Sequence, residues 1–139
     1  MCHSTDKAPA GYHTPPKGGI DPGESPLDAA IRETLEEVGI AVSPERLSPE
    51  TVDIVYMGDR QRTRKTCRLF TYEIDSLSDI GLESEVVPSG MLQAGEIDWA
   101  GFLDREQAEG LVNPHYMRLY DEIYKGAGAG RRKNNNGEG

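Results

Sequence analysis

The sequence is short of cysteine: Cys2 and Cys67 are the only two in 139 residues, too few for a disulfide framework. That scarcity fits a reducing compartment, and a cytoplasmic protein is expected. No apolar run approaches the roughly 20 residues of a membrane helix, and no signal-peptide core is visible, so no membrane partner is expected. Positive charge is also scarce. Lys and Arg number 15 against 24 Asp and Glu, for a formal net charge of −9. Such a balance argues against general affinity for nucleic acid or anionic membranes. A protein so negative needs metal ions or a local basic patch to hold a polyphosphate. Internal repeats are absent, and the length suits one domain with a real core.

What the sequence does have is concentrated between Gly18 and Ile40, GGIDPGESPLDAAIRETLEEVGI. Gly18, Gly19, Pro22 and Gly23 make a loop of tight backbone geometry. Ser25 is a good N-cap, Pro26 suits the first helical position, and Asp28 stands at the capping-box spacing. Gly39 falls where a left-handed C-cap belongs. These signals predict a helix over 26–38. At about 100° per residue, Leu27, Ala30, Ile31, Thr34, Leu35 and Val38 share one face. Glu33, Glu36 and Glu37 share another, with Cβ atoms roughly 5–6 Å apart. One reading is a solvated acidic face, with Arg32 paired to Glu36. The other is a site for a hard divalent cation, because such ions prefer carboxylate oxygens, and Arg32 alone cannot neutralise three glutamates.

Gly18, five residues, Glu24, seven residues, then Arg32-Glu33-Thr34-Leu35-Glu36-Glu37-Val38-Gly39-Ile40 resembles the Nudix box, GX5EX7REUXEEXGU. Every position that fixes one residue type matches; Thr34 departs where the pattern asks for an aliphatic side chain. The resemblance implies an α/β fold, a Nudix-type α/β/α sandwich around a mixed sheet. It also implies Mg2+- or Mn2+-dependent attack of water on a diphosphate linked to another group. Glu33, Glu36 and Glu37 would then be metal ligands and Glu24 would support the site. Arg32 would orient the acids through ion pairs, and a loop carbonyl at Gly18 or Gly19 would complete the metal shell.

Residues 1–11 are polar and unpatterned where the family has strand, so the opening strand is expected to be short or missing. A sheet edge left open there would recruit a partner, and a homodimer is one expected outcome. The domain proper is read as 12–125. Its lead-in, Tyr12-His13-Thr14-Pro15-Pro16-Lys17-Gly18, is similar to that of the diadenosine polyphosphate hydrolases of the family. Lys17 is a candidate phosphate contact, and His13 is expected to pack at the mouth of the site.

Past the helix, 41–50 reads as loop, 51–57 and 66–74 as strands, and 75–95 as a long mobile loop. Between the strands, five of the nine residues from Arg60 to Arg68 are basic. Arg62, Arg64 and Lys65 are therefore candidate phosphate ligands, the alternative being a hairpin tip kept soluble by charge. A further carboxylate is expected near the strand 97–103; Glu96 is favoured, although the diadenosine spacing lands on Gln93. Trp99 and Phe102 are core or base-stacking candidates. Asp104 caps a short helix, Asn113-Pro114 opens a longer one over 115–125, and 126–139 is expected to be disordered.

The substrate expected from this reading is a small nucleotide, foremost a dinucleoside polyphosphate of the diadenosine tetraphosphate type. Nucleoside triphosphates, ADP-ribose and the 5′ triphosphate end of RNA are rivals, the last because GGIDPGES resembles the loop of RNA pyrophosphohydrolases. A Nudix-like binding module without turnover is the alternative of another class.

Overall fold

The structure, a computed structural model, describes residues 1–5, 11–57 and 64–130, with side chains as far as residue 123. Helix α1 (Pro26–Val38) forms where its caps place it. Ser25 Oγ accepts from the Asp28 N–H at 3.1 Å, and Gly39, at φ 72°, donates its N–H to the Leu35 carbonyl at 3.0 Å. Gly39 also lies so close to Met91 that a Cβ would meet its carbonyl oxygen at 2.8 Å. Turn and close approach both demand glycine there.

The opening strand is present and short. Cys2–Ser4 form strand β1, which pairs antiparallel with β4 (Ile97–Ala100), Cys2 opposite Ala100 and His3 opposite Trp99. On its other side Cys2 exchanges backbone bonds of 2.7 and 2.9 Å with Thr14. His13 then bridges to Val112 in parallel, and Val86 bridges to Gly101. The β1–β4 ladder is antiparallel, and the His13–Val112 bridge is an isolated parallel contact. β1 is bonded on both sides, so the edge beside the box is covered at that point. Its residues are too few to show alternation; backbone pairing, not an apolar pattern, makes it a strand.

A second antiparallel ladder joins β2 (Leu47–Met57) to β3 (Arg64–Tyr72). β2 begins at Leu47 rather than Thr51, with an irregularity between the two where Pro49 cannot donate to the ladder. The tip between these strands, including Arg62, lies outside the described residues.

Two apolar clusters form. Val38 of α1 packs with Cys2, Leu82, Val87 and Ala100. Ile54 and Leu69 of the β2–β3 ladder pack with Ala108 of α2 (Arg105–Ala108), with Val112 and Tyr116, and with Leu119 and Tyr120 of α3 (Met117–Gly130). Strand alternation explains the split: Cys2 and Phe102 join the first cluster, their neighbours Met1 and Leu103 the second. Buried residues of α1 and α3 thus belong to different clusters, although the two helices border one shared cavity.

Several expectations change in detail. The segment 75–95 is not an open loop: it holds 3-10 turns at Leu77–Ile80 and Ser89–Met91, and it buries Leu82 and Val87. Helix α3 runs to Gly130, past the point where disorder was expected to begin, and 131–139 lie outside the described residues. On α1, Ala29 and Val38 are buried whereas Leu35, read as a packing residue, is 52% exposed. Thr34 faces its departure from the aliphatic pattern by donating its hydroxyl to the Ala30 carbonyl at 2.8 Å. It borders an apolar cavity of about 230 Å3 lined also by Val38, Phe102, Leu103, Leu119 and Tyr120. Among the described residues no helix is long and apolar enough to cross a membrane.

Candidate functional site

Arg32 is the hub of the acidic face. Its Nε and Nη2 donate to both oxygens of Glu24 at 2.8 and 2.9 Å, a fork-on-carboxylate geometry. Nη1 donates to Glu33 at 3.0 Å and Glu36 at 3.4 Å, and Nη2 also reaches the Gly19 carbonyl at 3.0 Å. One guanidinium therefore ties the box loop to the C-terminal half of α1. Glu24 is set by sequence twice over: the Arg32 guanidinium and then the Asp21 N–H, at 2.9 Å, hold its carboxyl down near 2. The same bonds raise the Arg32 pKa further. Asp21, which sequence reasoning passed over, also lies 3.5 Å from Arg32; its place before Pro-Gly was the available signal.

Glu37 is in the opposite condition. Burial first, and the neighbouring Glu33 carboxylate after it, push its carboxyl up to about 7 against the Lys17 N–H, which donates to Oε1 at 3.2 Å. Cys2 Sγ lies 3.8 Å from the same oxygen. Sequence reading did not anticipate Cys2 here, because nothing local links β1 to the far end of α1. The thiol itself is pushed up to about 11, chiefly by burial, so it is a weak donor rather than a nucleophile.

Glycine is required at Gly18 by close approach. A Cβ there would collide with the Glu33 carboxylate, which occupies the space a side chain would need. The Glu33 side chain is only 14% exposed, whereas that of Glu36 is 47% exposed. Among the described residues no three His, Cys, Asp or Glu side chains are gathered as a ready-made metal group. The donor set still fits a divalent cation: Glu33 and Glu37 are hard oxygen donors one turn apart, in a cradle that lacks a Cβ, and the Glu33 carboxylate opposes ionisation of Glu37, which the Lys17 charge only partly offsets.

The remaining candidates divide. Lys17 is exposed, and its backbone is docked on Glu37. Arg64 and Lys65 are exposed in β3, opposite Met57 and Tyr56, and neither is bonded to the carboxylates of α1 among the described residues. Glu96 is exposed, with no side-chain bond among the described residues. Gln93 is the residue tied to the site, its N–H donating to the Glu37 carbonyl at 3.0 Å. His13 lies within the sheet, its ring 5.1 Å from that of His3 and 5.2 Å from that of Trp99.

Comparison with known proteins agrees with this architecture. The NUDIX domain profile matches residues 1–123. The chain is 31% identical over 118 residues to an RNA pyrophosphohydrolase of Rhizobium meliloti (strain 1021), covering 78% of this chain and 68% of that protein. It is 56% identical over 39 residues to the asymmetrical bis(5′-nucleosyl)-tetraphosphatase of Mus musculus, covering 27% of this chain and 26% of that protein. A Nudix hydrolase of Rhodococcus erythropolis is 41% identical over 68 residues, covering 46% of this chain and 36% of that protein. The match thus spans about a quarter of the mouse protein and about a third of the Rhodococcus one. With the profile covering nearly all of the described fold and the box residues assembled around Arg32, the chain belongs to the Nudix family.

Proposed function

We propose that this protein hydrolyses a phosphoric anhydride bond within a nucleotide, with Mg2+ or Mn2+ held by Glu33, Glu37 and Glu36 beside the Gly18–Gly19 loop. The observation that carries the reading is the docking of the Lys17–Gly18 backbone on the carboxylate helix, through the Lys17 N–H on Glu37 and the Glu33 carboxylate against Gly18. A divalent cation bound there supplies Lewis-acid polarisation of a phosphate oxygen and neutralises developing charge. Arg32 keeps Glu24, Glu33 and Glu36 oriented, so the acids need not reorganise during the reaction. One carboxylate of the cluster accepts the proton of the attacking water. The Lys17 ammonium, exposed at the loop, binds a phosphate as a point charge.

Among substrates, a dinucleoside tetraphosphate is preferred because the Thr14-Pro15-Pro16-Lys17-Gly18 lead-in resembles that of diadenosine polyphosphate hydrolases, and the mouse relative carries that activity in its name. The RNA 5′ triphosphate end is the second reading, favoured by the longer alignment with the Rhizobium protein. Two free cysteines support a reducing, cytoplasmic setting for the reaction. Competition decides between the substrates. Diadenosine tetraphosphate and a 5′-triphosphorylated RNA oligonucleotide are offered together with Mg2+, and the products are separated by chromatography. A higher kcat/KM for the dinucleotide supports the first reading, and a higher one for RNA replaces it with the second. Tight binding of either without any product would mark a binding module.

A further inference from the structure

Cys2 reaches a carboxylate of α1 from a distant part of the chain, and the hydrolytic reading gives it no part. Its Sγ lies 3.8 Å from Glu37 Oε1, the same oxygen that accepts the Lys17 N–H at 3.2 Å. A thiol keeps its proton at neutral pH, so its S–H is a weak donor to that carboxylate. The bond is slight in itself. Its weight comes from how firmly each partner is held.

Cys2 belongs to β1, where its N–H donates to the Thr14 carbonyl at 2.7 Å and its carbonyl accepts from the Thr14 N–H at 2.9 Å, with Ala100 of β4 opposite. It is buried and packs with Val38, the chain neighbour of Glu37. The Gln93 N–H holds the Glu37 carbonyl at 3.0 Å. Both backbones are thus fixed where the thiol meets Oε1. Glu37 is also the acid that needs such a holder. Arg32 holds Glu24, Glu33 and Glu36, and Glu37 lies outside those contacts. When ionised, Glu37 is repelled by the neighbouring Glu33 carboxylate, so hydrogen bonds must keep it from swinging away.

We infer that Cys2 is a positioning residue for the metal-dependent reaction: its S–H, together with the Lys17 N–H, holds the Glu37 carboxylate in the rotamer that meets the cation. The inference rests on the metal reading above. Cys2 acts through Glu37 and is not itself a ligand. The bland alternative is a buried cysteine that serves as a small apolar filler.

Two replacements separate these roles. Cys2→Ala keeps an apolar contact and loses the donor, whereas Cys2→Ser keeps a donor and loses apolar contact. Cys2→Ala should weaken Mn2+ binding by calorimetry roughly tenfold and lower kcat for diadenosine tetraphosphate by a similar factor, with KM for the nucleotide within a factor of a few. Cys2→Ser should retain most of both. Filling alone gives the reverse order, so Cys2→Ala matching the wild type, or both variants falling alike, overturns the positioning role. A further readout leaves Cys2 in place. In Cys67→Ala, Cys2 is the only thiol, and its S–H stretching band in the infrared should lie at a hydrogen-bonded frequency and shift when Mn2+ is added. Excess EDTA should reverse the shift. Bound Mn2+ with an unmoved band overturns the positioning role alone. A wild type that neither binds Mn2+ nor hydrolyses the nucleotide overturns the metal reading, and the positioning role with it.

Discussion

Replacing Glu37 by glutamine removes a charge that the metal-free fold holds at a cost. Its carboxyl, ordinarily near 4.5, is pushed up to about 7 by burial and by Glu33. A carboxyl raised in the folded state binds its proton more tightly there than in the unfolded chain. Its contribution to stability is therefore fully present below about pH 4.5 and is lost as pH rises through about 7. Converted without screening, the difference amounts to about 3 kcal/mol. The side chain is half-buried, so solvent reduces this to about 1–2 kcal/mol. Glutamine stays neutral and its Oε1 can still accept the Lys17 N–H. In metal-free buffer, Glu37→Gln should match the wild type at pH 4.5 and melt higher by about 3–8 °C at pH 8. Adding Mn2+ at pH 8 should stabilise the wild type and leave the variant nearly unmoved. Differential scanning fluorimetry across pH, with and without metal, reads both effects. A pH-independent difference between the two proteins, or an equal Mn2+ shift in both, would refute the reasoning.

Arg32→Lys keeps the charge but not the fork on Glu24, and activity should fall by roughly 10–100-fold while the circular dichroism spectrum is kept; activity within twofold of wild type would remove Arg32 from its positioning role. Gly18→Ala forces the Glu33 carboxylate out of its place, so Mn2+ affinity by calorimetry should drop at least tenfold. Thr34→Ile extends into the 230 Å3 cavity and should raise unfolding stability in urea by about 1 kcal/mol at unchanged kcat; destabilisation would mean the cavity does not accept the added methylene. Arg64→Ser with Lys65→Ser tests the exposed basic residues of β3. If they serve as phosphate ligands, KM should rise more for a tetraphosphate than for a diphosphate substrate, and equal effects assign them to solubility.

Much of the site was legible because its information is local. Ser25, Pro26 and Gly39 set the bounds of α1, and the spacing of Glu24, Arg32, Glu33 and Glu36 lets one guanidinium reach all three acids, whereas Glu37 lies outside the Arg32 contacts. What sequence could not give is long-range. β1 is visible only through its partners Ala100 and Thr14, neither of which is its near neighbour in sequence. Cys2 at Glu37 and the meeting of His3, His13 and Trp99 follow from that pairing and were equally hidden. The turns and buried leucine within 75–95 lacked periodicity because short 3-10 turns carry none long enough to detect. Leu35 misled for another reason: helical phase marks a shared face, but neighbouring elements decide whether that face is covered.

The central claim is that the α1 carboxylates form a metal-dependent hydrolytic centre. The most direct measurement is product formation from diadenosine tetraphosphate and a 5′-triphosphorylated RNA, by wild type and Glu36→Gln, across a Mg2+ titration with an EDTA control. The account predicts cleavage of an anhydride bond that saturates with Mg2+, vanishes in EDTA and falls by orders of magnitude in the variant. Undiminished cleavage in EDTA, or a variant with near-normal turnover at limiting Mg2+, would contradict it.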